Sequence, residues 1–262
     1  MRSDRGKQHS VMIAAGGLGT RRADWFRFLP KEYFPVHGKP GIALLMEEIA
    51  DLGNARTVMV HHPYYTRFAA WISYVLNKPD AYDQVADTAT ETRHWPSVDM
   101  IPQSGTYGDI TSVLNADDYL NRPAQLYVMY ADNLFPNARP LLHLGELDAD
   151  TAVMVRPYTR AAATKRGVVV CDNDRMVRLV EKPDEDTAAV LEATYGCDNL
   201  ALMTGRSRVS RSFLDFLHTY RHSSGEPKLS LALSTYAQTA SVRVRRVDTT
   251  VTDLGAPFPN VD

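Results

Sequence analysis

Cysteine is nearly absent: Cys171 and Cys197 are the only two in 262 residues, and they form neither a metal-ligand spacing nor an extracellular disulfide framework. That excludes a cysteine-built zinc site and a stapled secreted fold, and it fits a reduced, cytoplasmic setting. A dominant charge is missing too. The net charge of -2 and pI near 6.4 provide no positive footprint of the kind a nucleic-acid partner requires. No apolar run is long enough to span a membrane: the polar MRSDRGKQHS meets only the short stretch Val11 to Ala15, too little for a signal-peptide core or a membrane helix. No internal repeat occurs. The glycine-rich stretch that follows is no dinucleotide fingerprint, because Arg22 stands where a G-x-G-x-x-G pattern needs its third glycine, and no Gly-Lys-Ser/Thr closes it as a Walker loop.

What remains, with 44% hydrophobic and 23% charged residues, has the composition of an ordinary globular chain. Its length is near the limit for one continuous core, so one large domain or two packed lobes both fit. Val11 to Ala15 reads as a buried strand that breaks into Gly16, Gly17, Leu18, Gly19, Thr20 and Arg21. A turn so rich in glycine leaves backbone N–H groups open to an anion, and Arg21, Arg22 and Lys31 add full charges beside them. Helix 42–51, strand 56–61, helix 64–76 with Phe68, Trp71, Ile72 and Val75 inward, and strand 98–102 follow. His61 and His62 point to opposite faces of a strand, which makes a shared metal ion unfavourable. The polar run 78–97 is an excursion.

Leu126 to Tyr130 reads as a fully buried central strand leading into Asp132. A carboxylate at that end of an open α/β sheet lies where ligands collect, and a hard divalent cation favours carboxylate together with phosphate oxygen. The second half changes character. Short strands are expected near 152–155, 167–170 and 177–180, with Asp172-Asn173-Asp174 as a hairpin turn, then helices over 213–220 and 229–236 and a strand over 242–247 whose Arg243 and Arg245 face solvent.

GGLGTR, PKEYFP and GKP together resemble the N-terminal signature of the sugar-1-phosphate nucleotidyltransferases, the family of glucose-1-phosphate uridylyl- and thymidylyltransferases. The resemblance extends along the chain through Gln103 and Gly108, Ala131-Asp132-Asn133, Glu181-Lys182-Pro183, Leu200 to Gly205, and Val251 to Gly255. It implies an α/β fold with a Rossmann-like, open, mostly parallel central sheet flanked by helices (GT-A-like), and a smaller β-rich sugar-binding half. Residues 1–131 would form the nucleotide half and 132–262 the sugar-phosphate half of a single nucleotidyltransferase domain.

By the same resemblance, Ala15, Gly16, Gly17, Gly19, Thr20, Gln103 and Gly108 bind the nucleotide. Arg21, Lys31 and Lys182 carry catalysis, Gly167, Glu181 and Met203 bind the sugar, and Asp132 and Asp253 hold Mg²⁺. The implied reaction joins a sugar 1-phosphate to a nucleoside triphosphate, UTP first and dTTP next, and releases pyrophosphate. The chain departs from the family pattern at ADWFRF, at Ala131 and at KLSLALS. A non-sugar phosphate or phosphonate acceptor, a nucleotide-sugar-binding regulatory protein without turnover, and a homo-oligomer remain open.

Overall fold

A computed structural model describes residues 8–17, 30–36, 38–77, 95–221 and 226–255. The first half alternates strand and helix: β1 (His9–Ala15), a small hairpin of β2 (Pro35–Val36) and β3 (Lys39–Pro40), α1 (Gly41–Ala50), β4 (Ala55–His61), α2 (Thr66–Leu76), β5 (Val98–Pro102), α3 (Asp109–Tyr119) and β6 (Gln125–Tyr130). Strands β5, β4, β1 and β6 lie side by side in that order, all parallel. Parallel neighbours need long crossovers, and the helices supply them. Because β1 is central and the chain leaves it first to one side and then to the other, the strand order reverses between β1 and β6. Such a switch point leaves an open crevice beyond the carboxyl ends of the two strands.

The second half comprises β7 (Asn133–Leu134), α4 (Pro140–Gly145), β8 (Thr151–Pro157), α5 (Arg160–Ala163), β9 (Gly167–Asp172), β10 (Arg175–Glu181), α6 (Glu185–Tyr195), β11 (Leu200–Ser210), α7 (Arg211–Thr219), α8 (Leu229–Tyr236), β12 (Val242–Arg246) and β13 (Thr252–Asp253). Its strands continue the same sheet in the order β6-β11-β8-β12-β10-β9. Here the expectation of a mostly parallel sheet is corrected. Only β8 and β12 are parallel, and β6–β11, β11–β8, β12–β10, β10–β9 and β11–β9 are antiparallel. The sheet is mixed because a short turn such as Asp172-Asn173-Asp174 can only reverse the chain, and Asn173 adopts the left-handed φ of 54° that this turn requires.

Side-chain alternation divides the core. From β1, Met12 packs with Val58, Val128 and Phe213 on one face, while Val11 and Ile13 pack with Leu45, Ile49 and Met129 on the other. Each such fully buried side chain is worth about 1.5–3 kcal/mol. Strand β11 joins the halves, pairing with β9 through Leu200 to Leu202 and with β6 through Arg206 to Ser210. Its register shifts between Met203 and Ser207. Gly205 sits at the shift with φ of 77°, where a Cβ would come within 3.0 Å of Tyr130 and Asn133. Helix α6 is capped by Asp184, which accepts from Thr187 N, and ends at Gly196 with φ of 74°.

Trp71 is not inward as the helical period implied: it is 58% exposed, and α2 buries Ala69, Ile72 and Leu76 instead. Arg243 and Arg245 do face outward, beside Asp174 and Glu146. His61 is buried and His62 accepts from Tyr64 N, so both histidines have structural roles. The 78–94 part of the polar excursion lies outside the described residues. No helix among the described residues is long and apolar enough to cross a membrane.

Candidate active site at the switch point

Two strand ends begin the site. Gly16 and Gly17 follow β1, and Ala131-Asp132 follows β6, drawn against it by Ala131 N donating to Ala14 O at 3.1 Å. A single 3-10 turn, Lys31–Tyr33, delivers Lys31. Its ammonium lies 2.6 Å from Asp132 Oδ2 and its side chain is only 10% exposed. Gly17 lets the ammonium sit close to the turn: a Cβ there would come 3.2 Å from Lys31 Nζ. Burial alone would lower the Lys31 pKa, but Asp132, Glu32 and Asp253 outweigh it and hold the ammonium above its usual range. A fixed cation results, attracted by the carboxylates at both 132 and 253.

Asp253 reaches the site through β13, which pairs antiparallel with β7 so that Asp253 lies opposite Asn133 and Leu254 N donates to Asp132 O at 2.8 Å. Both carboxylates are oriented by donors behind them. Asn133 Nδ2 donates to Asp132 Oδ1 at 2.8 Å, and Gly255 N donates to Asp253 Oδ1 at 2.8 Å. Arg166 ties Asp253 to the residue after Asp132, donating to Asn133 Oδ1 at 2.9 Å and to Asp253 Oδ2 at 3.1 Å. Hard oxygen donors, one in the turn between β6 and β7 and one on β13, each with an oriented carboxylate, suit a divalent cation.

Two cavities meet at Lys31 and Asp132. One, of about 160 Å³, is lined by Gly16, Gly17, Gln103, Gly108 and Ser112. Gln103 Nε2 donates to Gly108 O at 2.9 Å, while its Oε1 faces Gly16. Gly108, with φ of 155°, packs so closely on Pro227 that a Cβ would come 2.9 Å from that residue's backbone oxygen. Ala15 sits apart from these: its side chain packs in the core beneath, and strand alternation turns Ala14 to the cavity instead.

The other cavity, of about 340 Å³, is lined by Gly167, Glu181, Lys182, Met203 and Asp253 among others. Gly167, Glu181 and Met203 form one cluster, since a Cβ on Gly167 would lie 3.2 Å from Glu181 Oε2 and 3.4 Å from Met203 Cγ. Lys182 holds a left-handed φ of 45°, uncommon for a lysine, and its N–H donates to Arg166 O at 3.2 Å. Gly19, Thr20 and Arg21 lie outside the described residues.

A family model described as Nucleotidyl transferase matches residues 10–240. This chain belongs to the nucleotidyl transferase family. A curated relative from Bacillus subtilis (strain 168), provisionally named a UTP–glucose-1-phosphate uridylyltransferase, is 44% identical over 50 residues, which is 19% of this chain and 18% of that protein. Among solved structures, a UDP-glucose pyrophosphorylase complexed with UDP-glucose superposes with a TM-score of 0.76 at 17% identity, covering 95% of this chain and 94% of that one. An inositol-1-phosphate CTP transferase from T. maritima superposes with a TM-score of 0.68 at 16% identity, covering 97% and 91%. At these identities the two structures establish a shared fold.

Several residues of this family member escaped the sequence reading. Arg166 is one, although the basic pair Lys165-Arg166 directly before a strand was a visible signal. Arg206 is another. Fully buried, it donates to Glu48 from Nε and Nη2, to Tyr130 O at 3.0 Å and to Asn133 O at 2.8 Å, and it lies 4.9 Å from the centre of the Phe135 ring. It thereby fixes the backbone on both sides of Asp132. Its local sequence, Thr204-Gly205-Arg206-Ser207-Arg208, gave no sign that it would be buried.

Proposed function

We propose that the chain couples a nucleoside triphosphate to a sugar 1-phosphate, giving a nucleotide sugar and pyrophosphate. One observation carries the reading: Lys31 and Asp132 are shared by a cavity rimmed by the glycine turn and a cavity containing Glu181 and Lys182. A phosphoryl acceptor and an α-phosphate held in adjoining cavities would meet at that seam.

The nucleophile needs no Ser-His or Cys-His pair, because a phosphomonoester with a second pKa of about 6 is largely dianionic at neutral pH. What the protein must do is bring two anions together and offset their charge. Lys182 holds the acceptor phosphate. Lys31 neutralises charge on the triphosphate, a task the family resemblance also gives to Arg21. Gln103 and Gly108 exchange their mutual hydrogen bond for the edge of a pyrimidine. Glu181 accepts from acceptor hydroxyls beside Gly167 and Met203.

Asp132 and Asp253 would hold Mg²⁺, which when bound supplies charge neutralisation at phosphate oxygens. Residues 1–131 then serve the nucleotide and 132–262 the sugar phosphate. UTP is favoured as donor by the names of the curated relative and of the UDP-glucose-bound neighbour. A non-sugar polyol phosphate as acceptor is supported by the inositol-1-phosphate CTP transferase neighbour. The free thiols of Cys171 and Cys197 support a cytoplasmic setting.

The test is a matrix of nucleoside triphosphates against sugar 1-phosphates and inositol 1-phosphate, scored by pyrophosphate formed with Mg²⁺ present. Turnover with UTP and at least one sugar 1-phosphate is expected. Absence of pyrophosphate across the whole matrix overturns the reading.

A further inference from the structure

Asp109 is the first residue of α3 and borders both cavities. Its carboxylate accepts from Tyr130 OH at 2.6 Å through Oδ2 and from Leu229 N at 2.6 Å through Oδ1. Both donors are neutral. The other carboxylates of the larger cavity have different surroundings. Asp132 faces Lys31, Asp253 faces Arg166, Glu181 lies 3.9 Å from both Lys182 and Lys228, and Glu226 is exposed to water. Among the described residues, no basic side chain lies within ion-pair distance of Asp109. It is a carboxylate set beside the acceptor cavity without a charge partner among the described residues.

We propose that Asp109 is a specificity-determining residue that reads a hydrogen-bond donor, a hydroxyl or a protonated amine, on the acceptor molecule. The proposal rests on the nucleotidyltransferase reading for the identity of that acceptor. Each carboxylate oxygen offers two lone-pair directions, and the protein occupies one on each. Among the described residues nothing takes the remaining capacity, and Asp109 is held half-buried against the cavity, where stripping water from a carboxylate without replacing it is costly. Burial raises the Asp109 pKa to about 6, against the pull of the Tyr130 and Leu229 hydrogen bonds. A donor arriving with the acceptor would relieve that cost, whereas an acceptor lacking one would leave it in place. The acceptor class is therefore a polyhydroxylated or amino-bearing phosphomonoester, with the donor placed toward the α3 end of the cavity.

A purely structural role is the alternative, since Asp109 also ties α3 to β6 and α8. Asp109→Asn separates the two, because an asparagine can still accept from Leu229 N and hydrogen-bond the Tyr130 hydroxyl while the charge is gone. The experiment measures calorimetric binding of glucose 1-phosphate, its singly deoxygenated analogues and glucosamine 1-phosphate. It uses wild type and Asp109→Asn, with Mg²⁺ and a non-hydrolysable UTP analogue, alongside pyrophosphate release with UTP. The expected result is an affinity loss of about 10- to 100-fold in Asp109→Asn, the range for a hydrogen bond to a charged group. One deoxy analogue should lose a similar factor on wild type and nothing further on the variant. If the donor is an amine, glucosamine 1-phosphate is the ligand that shows this loss. Melting temperature and affinity for the UTP analogue should hold.

Equal acceptor affinity in the two proteins, absence of acceptor binding, or a loss confined to the UTP analogue overturns the role of Asp109. Absence of pyrophosphate while the Asp109-dependent selectivity persists overturns the catalytic reading alone.

Discussion

Glu32→Gln is expected to flatten a pH dependence of stability that resides in one side chain. Glu32 is 2% exposed, and neither carboxyl oxygen has a hydrogen-bond partner among the described residues. Burial, only partly offset by Lys31, raises its pKa from 4.5 to about 7. The unfolded chain thus releases this proton near pH 4.5, while the folded protein keeps it until about pH 7. The contribution to stability is full below pH 4.5 and is lost as pH rises through 7. A shift of about 2.5 units at 1.36 kcal/mol each amounts to about 3 kcal/mol when fully developed. The assay is urea unfolding of wild type and Glu32→Gln at pH 5 and pH 8. The cost of burying the amide is the same at both pH values and cancels in the comparison. The stability of Glu32→Gln relative to wild type should rise by about 2–3 kcal/mol between the two conditions. A difference that stays constant within about 0.5 kcal/mol, the usual scatter for independent sites, would refute the assignment.

Lys31→Ala should lower turnover by about 10²- to 10³-fold, the usual cost of removing a charge-stabilising donor, without loss of the folded state by circular dichroism. Normal turnover with saturating Mg²⁺ would remove Lys31 from the mechanism. Arg206→Met should cost about 3–5 kcal/mol in denaturant unfolding because it leaves Glu48 buried without its partner, whereas Arg206→Met combined with Glu48→Leu should recover most of that. Additive losses in that double-mutant cycle would show that the two side chains do not act as a pair.

Local pattern carried the parts of the site that stand in one segment. The strand that breaks into Gly16 and the strand ending before Asp132 each combine a hydrophobic run with its own breaker, so they are visible without partners, whereas Glu181-Lys182-Pro183 stood out only through the family resemblance. Residues defined by distant contacts were not. Glu48 and Arg206 are 158 positions apart, and nothing in either segment alone names the other. Asp109 looks like an ordinary first-turn acid until Tyr130 and Leu229 close on it. Strand direction in the second half was hidden for a related reason: short strands alternate alike whether parallel or antiparallel, and pairing decides. Trp71 went astray because a 3.6 period defines a face but not how far around the helix the core reaches.

Convergence of Asp132 and Asp253 on one cation is the claim on which the proposed chemistry depends, and metal-specific diffraction reads it directly. A crystal grown with Mn²⁺ and UTP should give one anomalous peak within about 2.5 Å of a carboxylate oxygen from each residue, in the range for hard divalent cations. A peak that contacts neither carboxylate, or a nucleotide bound away from the glycine turn, would contradict the account.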